Sequence, residues 1–217
     1  MADKKYHHGD LKNALIEAGV EILSKEGMSG LSLRKVARRA GVSHAAPYAH
    51  FVDKQALIAA ISTEGYHRLY DRIESAVRAC EGDPRRQLVE AAWAYVGYAL
   101  TDPDHFKITL SGVLEKDRYD PAFVEISQRS FKAVVEIVEN CQSAGILAPG
   151  PSDMMAVSVW SLVHGFVSLL LEDQISHTIL DRMSAREMLI FTLNQITKVK
   201  LRTEMFQEPP EDVKDAV

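Results

Sequence analysis

Apolar residues recur at helical spacing along nearly the whole chain. No segment shows the alternation of apolar and polar residues that marks a half-buried strand. Serines at helix starts, with glycines and prolines between the periodic segments, divide the pattern into about nine helices. We therefore predict an all-α fold without an internal repeat.

The composition is that of an ordinary soluble globular protein, with 217 residues, 47% hydrophobic and 25% charged. Cys80 and Cys141 form neither a CxxC pair nor a metal-ligand spacing, so we expect reduced thiols in a cytosolic protein. The polar N-terminal stretch has no apolar signal region, which argues against secretion. We predict a cytoplasmic protein with no cofactor and no metal site.

Residues 32–51 are typical of a helix-turn-helix, in which the second helix enters the major groove of DNA. Ser32 is a good N-cap for the helix "LRKVARRA", and Gly41 makes a tight turn after it. Ser43 can cap the next short helix. Helical hairpins with glycine turns are common, so this pattern alone leaves an ordinary hairpin open.

Pro47 lies in the second helix of this motif, where it is tolerable because the helix has barely begun. If Ser43 is the N-cap, residue 47 would donate only the first intrahelical hydrogen bond, so a proline costs little there. Phe51 would anchor the helix in the core, and the other side chains are suited to DNA. We expect phosphate or base contacts from Ser43, His44, Ala45, Ala46, Tyr48, His50 and Lys54.

Charge is distributed unevenly along the chain. Residues 1–54 carry a net charge of +3 and four of the eight histidines, whereas the remaining residues carry −8. A basic N-terminal segment followed by an acidic remainder is expected when only one end of a protein binds a polyanion. Chance clustering in a short segment is the alternative.

The run "YHHGDLKNALIEAGVEILSKEG…LSLRKVARRAGVSHAAPYAHFVDKQAL", residues 6–57, resembles the N-terminal domain of TetR-type transcriptional regulators. The resemblance implies that helices two and three form the helix-turn-helix and that a dimer binds operator DNA. It also implies contacts from the residues named above, with Ser32 and Arg34 near the DNA backbone. His44 and Ala49 depart from the family pattern, where lysine or arginine and a larger residue are frequent.

The segment "MMAVSVWSLVHGFVSLLL", residues 154–171, contains no charged residue over 18 positions. That length approaches a membrane span, but His164, three serines and acidic flanks favour a helix buried against a partner subunit. In TetR-type proteins the last two long helices commonly form the dimer interface, and segments 152–173 and 184–203 match that role. "WSLVHG" also resembles the C-terminal domain of the WHG-type branch.

We predict a helix-turn-helix domain at residues 1–54, a helical effector-binding and dimerisation domain at 55–207, and a disordered tail at 208–217. A mostly apolar cavity with a few polar groups is the usual form of a small-molecule site. Aromatic residues at helical spacing are also typical of an ordinary core. Our candidates for the pocket are Trp93, Tyr95, Val96, Phe106, Trp160 and His164.

These features predict a homodimeric repressor that binds palindromic operator DNA and is released by an unknown small-molecule effector. A transcriptional activator, or a DNA-binding protein without an effector, would have the same fold. An all-α enzyme is a more distant alternative, because the chain contains no GxSxG, HExxH, GxGxxG or P-loop motif.

Overall fold

The computed structural model of the chain describes residues 8–110 and 120–207. Within these ranges the chain forms nine α-helices, and the only β-type pairing is an isolated bridge between Leu147 and Thr197. The all-α prediction is therefore confirmed, while the predicted tail at 208–217 lies outside the described residues. The helices are α1 (His8–Gly30), α2 (Leu33–Arg39), α3 (Lys54–Arg78), α4 (Pro84–Thr101), α5 (Pro103–Leu110), α6 (Pro121–Ser143), α7 (Ser152–Leu171), α8 (His177–Leu180) and α9 (Ala185–Leu193).

Helix starts follow local signals in the sequence. The hydroxyl of Ser32 accepts a hydrogen bond from the backbone N–H of Lys35 at 3.2 Å, so Ser32 caps α2 as predicted. Ser184 and Glu187, three positions apart, form a capping box at α9. The hydrogen bond from the backbone N–H of Ser184 is the main reason why the pKa of the Glu187 carboxyl is lowered.

Gly27, in the stretch "KEGMSG", interrupts α1. Its φ of 67° lies in the left-handed region, which residues with a Cβ atom rarely adopt. The regular helix therefore ends near this residue, and a short second piece continues to Gly30.

The chain divides into two compact units, and unit 1 comprises residues up to Tyr66 together with Asp104–Ile126. The core of unit 1 is formed by apolar side chains of α1, α2 and the first half of α3, with Phe51 between them. The domain boundary that we predicted after residue 54 stays a prediction. Helix α3 begins at Lys54 and runs across this boundary. The least exposed core residues of this unit include Leu15, Ile22, Val36, Leu57, Ile58 and Ile61.

Unit 2 comprises His67–Pro103 and the residues from Ser127 onward. Its central helices are α4, α7 and α9, which pack against one another. Each contributes completely buried residues, such as Val96, Ala156 and Leu189. Both cysteines are buried in this unit, and the thiol of Cys141 donates a hydrogen bond to the carbonyl oxygen of Pro84 at 3.2 Å.

The last long helix is shorter than predicted, because α9 ends at Leu193 rather than continuing toward residue 203. The side-chain oxygen of Asn194 accepts a hydrogen bond from the N–H of Leu201 at 2.8 Å, and the N–H of Lys198 donates to the carbonyl of Ile146 at 2.8 Å. Asparagine offers the backbone such alternatives to a helix, and β-branched residues lower helix propensity. Three β-branched residues follow at Ile196, Thr197 and Val199.

Candidate nucleic-acid interface and effector site

The turn of the helix-turn-helix is built around Gly41, whose φ is 70°. The N–H of Gly41 donates to the carbonyl of Arg38, and the N–H of Val42 donates to the carbonyl of Ala37 at 3.0 Å. These bonds close the end of α2 and reverse the chain. A residue with a Cβ atom would be strained in this backbone conformation, so glycine suits the turn.

The recognition element is a four-residue 3₁₀ helix, Ala46–Ala49, and not the α-helix capped by Ser43 that we predicted. The carbonyl of Ser43 accepts instead from the N–H of Ala46 at 3.0 Å, three residues on. Pro47 has no N–H and therefore cannot donate the α-helical bond to Ser43. The short element is consistent with this missing donor.

The 3₁₀ geometry changes which residues share a face, because side chains three positions apart are aligned. Tyr48 therefore shares a face with Ala45. Both side chains are exposed, and 54% of the surface of Tyr48 is accessible. His50 shares a face with Pro47, which is buried. The ring centroid of His50 is 6.2 Å from that of Phe51. Tyr48 is thus the large side chain directed outward from this segment.

The predicted DNA-contact residues are mostly accessible, as a contact surface requires. Pro47 and Phe51 are buried and fix the segment to the core, which confirms the anchoring role of Phe51. Ala46 and His50 are half-buried. The exposed members of the predicted set are Ser32, Arg34, Ser43, His44, Ala45, Tyr48 and Lys54.

Basic residues of α2 divide into two groups. Lys35 forms an ion pair with Glu26, and Arg39 forms one with Glu21 at 3.3 Å, so both help to hold α2 on α1. Arg34 and Arg38 are exposed. We name the exposed side chains of Ser32, Arg34, Ser43, His44, Ala45, Tyr48 and Lys54 the recognition surface.

In unit 2, three of the predicted pocket residues form one hydrogen-bonded network. The indole N–H of Trp160 donates to the hydroxyl of Tyr95 at 3.2 Å, and that hydroxyl lies 2.8 Å from Nδ1 of His164. Tyr95 is buried, whereas 39% of Trp160 is exposed. Burial lowers the pKa of the His164 imidazole, because the charged form loses hydration.

The other three predicted pocket residues lie elsewhere. Trp93 packs against Phe206 with ring centroids 5.6 Å apart, and the guanidinium of Arg186 lies 4.9 Å from the Trp93 centroid. Val96 is completely buried in unit 2, and Phe106 is buried in unit 1. Phe206 and Arg186 were absent from our candidates, since nothing in the periodicity joins the C-terminal segment to α4.

The described ranges contain no group of three or more His, Cys, Asp or Glu side chains that could hold a metal ion. One described helix, Ser152–Leu171, is long and apolar enough to cross a membrane, with a mean hydropathy of 1.9 over 18 residues. Only 28% of that window is buried within the chain. Its exposed apolar residues include Met154, Val157 and Leu169.

Comparison with known proteins gives two family matches. Residues 15–61 match the family described as bacterial regulatory proteins, tetR family, and residues 88–193 match the tetracyclin repressor-like C-terminal domain. A protein of unknown function from Rhodococcus sp. RHA1 is similar in structure, with a TM-score of 0.73, 32% identity and coverage of 90% of this chain and all of that one.

Curated relatives agree with these matches. The uncharacterized HTH-type transcriptional regulator YobS of Bacillus subtilis (strain 168) is 25% identical, over 76% of this chain and 81% of that protein. The HTH-type transcriptional regulator AcrR of Shigella flexneri is 24% identical, over 80% of this chain and 82% of that protein. Regulators of this family are soluble and are not enzymes, in agreement with our expectation. The chain belongs to the TetR family of DNA-binding transcription regulators.

Proposed function

We propose that this regulator is a homodimeric repressor that leaves palindromic operator DNA when a small-molecule effector binds unit 2. The observation that carries the proposal is an exposed apolar face on α7, in a chain that also presents an exposed recognition surface. The apolar face of α7 is suited to burial against a second copy of the chain. The recognition surface is suited to contact with DNA.

The dimer would form through α7. Met154 is 62% exposed, Val157 41% and Leu169 49%, although the helix carries no charged side chain between Met154 and Leu171. Burial of such a face against a second copy would stabilise it by about 25 cal/mol per Å² of apolar surface. Phe191 on α9, 63% exposed, would extend the interface. Because α9 ends at Leu193, the interface predicted at 184–203 is reduced to residues up to that point.

Two copies would present two recognition surfaces related by a twofold axis. Successive major grooves on one side of the duplex are about 34–36 Å apart, so an inverted repeat with that spacing is expected. Within each half-site, Tyr48, His50 and Lys54 would contact phosphates, while His44, Ala45 and Ala46 would approach base edges. Ser32, Arg34 and Ser43 would complete the backbone contacts.

The effector site would lie at the Tyr95–His164–Trp160 network in unit 2. These side chains supply polar groups among apolar residues of α4 and α7, which is the usual composition of a small-molecule site. The other two candidates on α4 lie away from this network, because Val96 is completely buried and Trp93 packs against Phe206. An effector would act only through different affinities for the DNA-binding and released states.

Repression, as opposed to activation, is supported by resemblance alone. The tetracycline repressor protein class A from transposon 1721 of Escherichia coli is 42% identical over 50 residues, which cover 23% of each chain. From this similarity we propose that the present protein is also a repressor, and that it is located in the cytoplasm. A reporter gene downstream of the selected operator would be silenced by a repressor and stimulated by an activator.

The testing experiment is selection of fragments from the source genome by the purified protein at ~150 mM salt, where non-specific phosphate binding is weakened. We expect a few fragments that share an inverted repeat. The variant Val157→Glu should sediment as a monomer and lose this selection, whereas Gln128→Glu, exposed on α6, should behave as the parent. Selection of single half-sites, or a parent that sediments as a monomer, would contradict the dimer.

A further inference from the structure

Two arginines of α2, Arg34 and Arg38, share one flank of that helix. They are four positions apart, which corresponds to about 40° beyond one full helical turn, so their side chains leave the helix in similar directions. Both side chains are exposed. The helix is held in unit 1 by Leu33, Val36 and Ala37, which are buried. The flank that carries the two arginines is therefore a fixed part of the surface of unit 1.

The other basic flank of α2 faces α1. Lys35 and Arg39 are also four positions apart, and they form ion pairs with Glu26 and Glu21 of α1, respectively. Among the described residues, neither arginine of the first flank has an ion-pair partner. Carboxylates of the chain thus compensate the charge on one flank of α2 and leave the charge on the other to solvent or to a binding partner.

This charge lies in a part of the chain that has no acidic residue from Leu31 to Val52. The range includes α2, the turn that follows it and the recognition segment, Ala46–Ala49. The recognition segment packs against α2, and the N–H of Val42 donates to the carbonyl of Ala37 at 3.0 Å. Positive charge without neighbouring carboxylates attracts a polyanion, and DNA presents a regular array of phosphates. The charge on this flank is therefore suited to the same partner as the recognition surface.

We propose that Arg38 is a further DNA-binding residue of this regulator, which binds a backbone phosphate different from the one bound by Arg34. A guanidinium can donate two parallel N–H bonds to one phosphate. Residues four positions apart on a helix are separated by about 6 Å along its axis, so the two arginines can reach different phosphates. The proposal rests on the recognition surface proposed above, because Arg34 belongs to it. A phosphate contact carries no base information, so Arg38 would add affinity and salt dependence without changing the preferred sequence.

The test measures DNA affinity by fluorescence anisotropy at several salt concentrations. One duplex carries the inverted repeat recovered in the selection, and another of equal length has an unrelated sequence. In Arg38→Gln, the slope of log affinity against log salt should fall by about 0.9 for each Arg38 that binds a phosphate, on both duplexes. Arg38→Lys keeps a positive charge and should keep most of the slope.

The matched control is Arg39→Gln, which removes the same charge from the next residue, where Glu21 is the partner. That variant should keep the parental slope. Because both arginines are exposed, both variants should retain the fold, which circular dichroism checks. Equal falls in slope in Arg38→Gln and Arg39→Gln, or no fall in Arg38→Gln, would overturn the proposal.

A second measurement locates the contact on the DNA. Ethylation of single phosphates in the duplex weakens binding wherever the protein contacts them. We expect one phosphate to become insensitive to ethylation in Arg38→Gln and a different phosphate to become insensitive in Arg34→Gln. An unchanged pattern in Arg38→Gln, or loss of the same phosphate in both variants, would overturn the proposal.

Tyr48→Ala separates a failure of this proposal from a failure of the recognition surface. If Tyr48→Ala weakens binding while Arg38→Gln binds as the parent does, only the contact of Arg38 is wrong. If neither change weakens binding, the recognition surface is wrong and the proposal fails with it.

Discussion

Gly65 of α3 lies directly against Thr109 of α5 in unit 1: a Cβ atom on residue 65 would stand 1.9 Å from the hydroxyl oxygen of Thr109. The same atom would lie 3.0 Å from the Cβ of Thr109 and 3.0 Å from Nδ1 of His105. The two helices therefore approach as closely as they do because residue 65 has no side chain.

Gly65→Ala should destabilise unit 1, because α3 and α5 must separate to admit the methyl group. Overpacking of this kind costs about 1–3 kcal/mol, which urea unfolding would measure. The matched control is Gly97→Ala in α4, where a Cβ would meet nothing within 4 Å. That change should stabilise the chain by about 0.5–1 kcal/mol, since alanine favours helices over glycine. Equal effects of the two changes would show that the contact with Thr109 does not limit packing.

Lys54→Gln should weaken operator binding uniformly across DNA sequences, because a phosphate contact carries no base information. The slope of log affinity against log salt should fall by about 0.9 for each Lys54 that contacts a phosphate. Fluorescence anisotropy titrations at several salt concentrations would measure it. Lys132→Gln provides the control, because Lys132 is exposed on α6 and paired with Glu136 at 3.7 Å. A similar loss of slope in both variants would point to a general charge effect.

Cys141 should resist alkylation in the folded chain. Burial raises the pKa of its thiol to about 12, so almost none of the reactive thiolate is present near neutral pH. Mass spectrometry after iodoacetamide treatment should find Cys141 unmodified in the native protein and modified in denaturant. Rapid native modification would contradict the buried position.

The same raised pKa predicts a loss of stability in alkaline solution. The unfolded thiol ionises near its ordinary value of 9.0, whereas the folded thiol does not ionise until about 12. Its contribution is therefore present below pH 9 and is lost as the pH rises from there. The urea midpoint of the parent should fall more between pH 9 and 11 than that of Cys141→Ala.

Phe206→Ala should release the C-terminal segment from α4. Phe206 is 9% exposed and packs against Trp93, while the carbonyl of the preceding Met205 accepts from Nε of Arg86 at 3.3 Å. Truncation of a buried phenylalanine typically costs about 3–5 kcal/mol, with values at the lower end expected for a terminal segment. Trypsin should then cleave faster after Arg202, which limited proteolysis would detect. Glu204→Gln, also in this segment but exposed, should leave the cleavage rate unchanged.

Sequence reasoning succeeded where the deciding interaction is local. Ser32, Ser184 and Gly27 determine helix ends through atoms within three or four residues, and their roles could be predicted from the sequence. Phe51 was predicted to anchor the short helix, and it is buried.

The features that were predicted incorrectly depend on residues distant in sequence or on competing hydrogen bonds. The end of α9 at Leu193 involves a bond from Lys198 to Ile146, 52 positions away, which no periodicity reveals. Trp93 meets Phe206 and Arg186 through the return of the C-terminal segment. At the recognition segment, the sequence pattern predicted an α-helix capped by Ser43, whereas the residues around Pro47 form a 3₁₀ helix.

Pro47 has a consequence for the thermodynamics of DNA recognition. Its ring fixes φ, so the unfolded chain has fewer backbone conformations to lose at this residue. Its side chain is also buried, which holds the segment in place before any DNA is present. Binding then needs to immobilise side chains rather than backbone, and the conformational entropy lost on reaching the major groove is correspondingly small.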